Sequence, residues 1–107
     1  MPRMSDSPAL TFAAFQRHIR DRYYQTDKAR GTPGTFMWLV EEVGELATAL
    51  HNIHKPDADA AARENLDEEF ADVVAWLCTL ANINDVDLER ALRAKYPFDG
   101  RPEGVKH

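Results

Sequence analysis

Positive charge is nearly missing from the middle of this chain. Between Gly31 and Glu89 the only basic residues are Lys55 and Arg63, whereas thirteen of the eighteen Asp and Glu fall there. Such a stretch cannot form the basic face of a general nucleic-acid binder, and the net charge of −5 points the same way. Cysteine is scarce too. Cys78 is alone, which excludes an internal disulfide, and its place within the apolar run Val73 to Leu80 marks it as a small buried hydrophobe. No uninterrupted apolar stretch approaches the roughly 18 residues of a membrane span, and no secretory h-region opens the chain. A cytoplasmic protein with no membrane and no nucleic-acid partner is therefore expected. Strand-like alternation, internal repeats and low-complexity tracts are likewise missing.

What is present reads as one all-α domain spanning residues 1–107, with 44% hydrophobic and 29% charged residues. Residues 1–6 read as a loose leader and 97–107 as an extended or mobile tail. Ser7-Pro8 reads as an N-cap and first helical position, and Phe12, Phe15, Ile19 and Tyr23 recur at helical steps to about Thr26. Lys28 to Gly34 carries the helix breakers Gly31, Pro33 and Gly34 and reads as a connector. Thr35 can cap a second helix to about Ile53, whose apolar side holds Phe36, Leu39, Val40, Val43, Leu46, Ala47 and Leu50. A third helix, about Ala61 to Asn82, carries the stripe Leu66, Phe70, Val73, Leu77 and Leu80, and a short fourth runs from Leu88 to about Tyr96. Four short helices in a small chain leave apolar surface to cover, so a bundle completed as a homodimer or homotetramer is expected.

Two carboxylate pairs stand out: Glu42 with Glu45, and Glu69 with Asp72, each at a spacing of three. On a helix that spacing puts both side chains on one face, about one turn apart. Two such pairs on packed helices would surround one small volume with like charges, which repel unless a cation sits between them. The alternative is a solvated acidic face, which any amphipathic helix can present. Such a face usually mixes Glu with Lys, yet the second helix carries Glu41, Glu42 and Glu45 with no basic residue, and Trp38 shares their side. Neither pair includes a histidine, unlike the Glu-x-x-His pairs of di-iron bundles, so all-oxygen ligation favours Mg²⁺, with Mn²⁺ as a substitute. His51 and His54 lie farther along, near a helix end, where a structural or peripheral role suits them.

The run Trp38-Leu39-Val40-Glu41-Glu42-Val43-Gly44-Glu45-Leu46-Ala47, followed by Glu69-Phe70-Ala71-Asp72, resembles the MazG-like nucleoside triphosphate pyrophosphohydrolases, whose pattern is E-E-x-x-E and later E-x-x-D. The likeness extends through Ala81-Asn82 and Asp87-Leu88-Glu89, covering about Phe36 to Tyr96. It implies an all-α enzyme that cuts a nucleoside triphosphate between its α and β phosphates, giving a monophosphate and pyrophosphate, in nucleotide-pool house-cleaning. By position it implies Glu42, Glu45, Glu69 and Asp72 as metal ligands, and Glu41 as a residue that binds a second metal or orients the attacking water. Lys95, with Arg93 or Arg90 as alternatives, stands where the family places a basic residue near the phosphates. Trp38 is a candidate platform for the base, with Phe12, Phe15 or Tyr23 as possible helpers from the first helix, and Asn82 either bonds substrate or caps its turn. A non-catalytic acidic module that docks a basic partner is the competing expectation.

Overall fold

The computed structural model describes residues 9–98, so the leader and the tail beyond Phe98 lie outside the described residues. Three helical elements follow one another: α1 (Phe12–Ile53), α2 (Ala60–Ile83) and α3 (Leu88–Lys95). Each begins at a short polar side chain that accepts from a free amide of its first turn. Thr11 Oγ1 accepts from the Ala14 N–H, Asp59 Oδ1 from Ala62 and Asp87 Oδ1 from Arg90. The first described helix therefore starts at Phe12 on Thr11, and the Ser7-Pro8 start expected from sequence lies outside the described residues.

The expected connector between the first two helices shrinks to one residue. Gly31 adopts φ 82, ψ 173 and breaks α1 into a first arm, residues 12–30, and a second arm, residues 32–53. Pro33 falls in the first turn of the second arm, where a missing N–H costs little. Thr35 is not the cap expected of it. It lies inside the second arm, fully buried, and its Oγ1 accepts from Arg30 Nε at 3.1 Å across the break. The backbone at Gly31 occupies a region that only glycine enters without strain. Gly31→Ala is expected to lower unfolding free energy by about 1–3 kcal/mol, measured by urea denaturation. The cause would be backbone strain alone, since an added Cβ meets nothing closer than Pro33 Cδ at 3.9 Å.

The second arm and α2 run antiparallel. Trp38 stacks on Trp76 and Glu42 faces Asp72, so advancing along one helix retreats along the other. The seam between them differs from the apolar side read from sequence. Thr35, Leu39 and Ala49 are buried and Glu42 and Leu46 are partly so, a row stepping by three and four. Phe36, Val40, Val43 and Leu50, expected in the core, are exposed, as are Phe70 and Leu77 on α2. The apolar side thus splits into an inner row against α2 and an outer row facing solvent. The buried apolar residues are few and include small ones: Ile19, Leu39, Ala49, Leu66, Cys78 and Ala81.

Gln16 ties α1, the end of α2 and α3 together. Its Nε2 donates to Asn82 Oδ1 (3.0 Å) and to the Val86 carbonyl (2.6 Å), and its Oε1 accepts from the Leu88 N–H (3.0 Å). Asn82 Nδ2 returns a bond to the Gln16 carbonyl (3.2 Å). Among the described residues no helix is long and apolar enough to cross a membrane.

Candidate metal centre and active site

The two carboxylate pairs meet where the second arm crosses α2. Ligand-capable oxygens of Glu42, Glu69 and Asp72 all lie within 4.8 Å of one another. The first two residues are partly buried and Asp72 is exposed, so the cluster opens to solvent on one side. Glu45, one turn beyond Glu42 and exposed, completes the group electrostatically, because its charge acts on both Glu42 and Glu69. All four carboxylates singled out by their spacing are brought together.

Their proton affinities register the crowding. The Glu42 carboxyl is pushed up to about 7, first by loss of surrounding water and then by the charges of Glu45, Asp72 and Glu69. Glu69 is raised as well, by loss of water first and then by Glu45 and Asp72. One oxygen of each, Oε2 of Glu42 and of Glu69, is buried without a hydrogen-bond partner. Buried polar atoms are nearly always satisfied, so an orphaned pair facing other carboxylates fits a bound cation. The donor set holds oxygen alone, which suits a hard divalent ion.

Glu41 is exposed and follows a different line of the helix, about 100° from Glu42, outside the close group. Trp38 lies one turn before Glu42 and remains 46% exposed, while Trp76 lies one turn after Asp72. The two indoles stack at 6.2 Å between centroids and 10° between planes. Trp76, set beside the acidic residues by its position on α2, thus joins Trp38 at one end of the cluster. The guanidinium of Arg30 sits 5.0 Å from the Trp76 ring centre. Sequence reasoning left Arg30 in a connector, and only the DxxR spacing of Asp27 and Arg30, with glycine beyond, hinted at a fixed position.

The remaining candidates sit elsewhere. Asn82 is 3% exposed and both ends of its amide are engaged by Gln16. It lies ten residues beyond Asp72 on α2, about 15 Å along the axis, so the structure does not bring it to the carboxylates. Lys95, Arg93 and Arg90 belong to α3, which docks on the start of α1 through Glu89 and Gln16, and Arg93 pairs with Glu89 at 3.8 Å. Phe12 and Phe15 line an apolar cavity of about 420 Å³ with Phe70, Ala71 and Val74. His51 and His54 end α1, both exposed. Burial raises the Cys78 thiol and leaves it a packing residue.

No curated protein matches the chain significantly. The family model of the MazG nucleotide pyrophosphohydrolase domain matches residues 32–97, a stretch that starts just after the break at Gly31 and takes in all four clustered carboxylates and both tryptophans. That match spans more than half of the chain: the chain belongs to the MazG nucleotide pyrophosphohydrolase family.

Proposed function

We propose that the chain is a Mg²⁺-dependent nucleoside triphosphate diphosphatase, taking an NTP or dNTP to its monophosphate and pyrophosphate in clearance of unwanted nucleotides. The observation that carries this is the convergence of Glu42, Glu69 and Asp72 with two orphaned buried oxygens and Glu45 beside them. A triphosphate bears the same sign as these side chains, so it can bind here only with cations between the two. Glu42, Glu45, Glu69 and Asp72 would hold Mg²⁺, with Mn²⁺ as a substitute. When bound, such an ion neutralises phosphate charge and acidifies a coordinated water. Glu41, exposed and adjacent in sequence to Glu42, is the proposed residue to bind a second metal or to orient the attacking water. Trp38, one turn from Glu42, is the proposed platform for the base.

The outer apolar rows support assembly as a homodimer or homotetramer. Phe36, Val40, Val43 and Leu50 on the second arm and Phe70 and Leu77 on α2 are exposed side chains of a kind that a lone domain seldom leaves wet in such number.

Titration calorimetry with Mg²⁺ tests the proposal at its root. The wild type is expected to bind Mg²⁺, and Glu69→Gln to lose most of that heat. An acidic module that docks a basic protein would show no divalent binding in either, and that result would replace the enzymatic reading.

A further inference from the structure

The ring of interactions around Arg30 is more elaborate than a helix break requires. Its Nη2 donates to Asp27 Oδ1 at 2.7 Å, and Asp27 is itself 5% exposed. Its Nε donates to the buried Thr35 on the far side of the break. Gly34 leaves room for its stem, since a Cβ there would meet Arg30 Cγ at 2.9 Å. The guanidinium then lies over Trp76, and Trp76 stacks on Trp38. A mostly buried ion pair adds little net stability over apolar packing, and its best-attested use is to fix one geometry. Here the geometry fixed is that of a flat aromatic surface.

That surface ends beside the carboxylates. Trp38 and Trp76 are each one turn from a clustered acid, about 6 Å along their helices, and Trp38 keeps nearly half its surface free. A nucleotide with its phosphates at the acidic cluster has an aromatic base within reach of that free ring.

We propose that Arg30 is a positioning residue for the nucleobase: held by Asp27 and Thr35, it locks Trp76 and through it Trp38 as the wall against which the base of the substrate stacks. The inference rests on the nucleotide reading above. It assigns Arg30 to the nucleoside half of the substrate, not to the triphosphate.

Steady-state kinetics of Arg30→Lys and Arg30→Ala on an NTP, with inorganic tripolyphosphate as a base-free competitor, test it. Lysine keeps the charge and loses the planar fork that bridges Asp27, Thr35 and the indole. Both variants are expected to raise KM for the NTP by about tenfold, a typical worth of one stacked base, with kcat changed far less. The inhibition constant of tripolyphosphate should move by less than about twofold, because it makes no stacking contact. The quench of tryptophan emission on adding nucleotide should weaken in parallel. If both arginine variants fail to fold, Trp38→Ala, which truncates a half-exposed ring, is expected to give the same split. Equal losses for nucleotide and tripolyphosphate, or a lowered melting temperature with unchanged kinetics, would overturn the proposal. No turnover of any nucleotide by the wild type would instead overturn the enzymatic reading on which it stands.

Discussion

Glu42→Gln and Asp72→Asn are each expected to cut activity by well over a hundredfold while leaving the metal-free protein as stable as before, or more so. Residues that merely support a metal ligand typically cost about 10–100-fold when mutated, so loss of a ligand itself should exceed that range. Stability should go the other way, because the wild-type cluster is strained without a cation. The crowded charges of Glu45, Asp72 and Glu69 act on Glu42, and an amide in its place is neutral and nearly the same shape. Thermal melts at pH 8 in chelator and initial rates in excess Mg²⁺ separate the two effects. A variant that loses both fold and activity would make these carboxylates structural.

The second large effect is on pH dependence, and its sign follows from the raised carboxyls. Below pH 4.5 Glu42 is protonated in folded and unfolded chains alike, so it contributes no difference. Between pH 4.5 and about 7 the unfolded chain gives up this proton while the folded one retains it. Stability of the metal-free protein therefore falls as pH rises through that window, then levels off. Glu69, raised in the same direction, reinforces the trend. A divalent ion must displace these protons to bind, so its apparent affinity should rise by about tenfold per pH unit toward neutrality for each proton released. Melting curves across pH 4–8, with and without Mg²⁺, should diverge: a falling line in chelator, a rising gain from the metal. Glu42→Gln should flatten both. Parallel lines with and without Mg²⁺ would contradict the account.

The acidic cluster was legible in the sequence because its signal is local. Glu42/Glu45 and Glu69/Asp72 each lie within one helical turn, and antiparallel packing was enough to join them. Trp38 was legible for the same reason, as the large apolar side chain on the acidic side. Long-range geometry hid the rest. Whether Gly31 ends a loop or forms a one-residue break depends on Thr35, Asp27 and Trp76 converging on Arg30, which no window of sequence displays. Asn82 looked available for substrate because its partner, Gln16, lies sixty-six residues away. The second arm misled in a further way. Its hydrophobic residues occupy more of the circumference than α2 alone can cover, so one broad apolar side was read where the chain has an inner row and an outer one.

The most direct test is product analysis of the purified protein on a panel of NTPs and dNTPs, with Mg²⁺ and with chelator. Release of monophosphate and pyrophosphate that stops on chelation is the result expected from a carboxylate-held divalent ion, and the best member of the panel would name the substrate. Release of diphosphate and orthophosphate, or cleavage that persists in chelator, would contradict it.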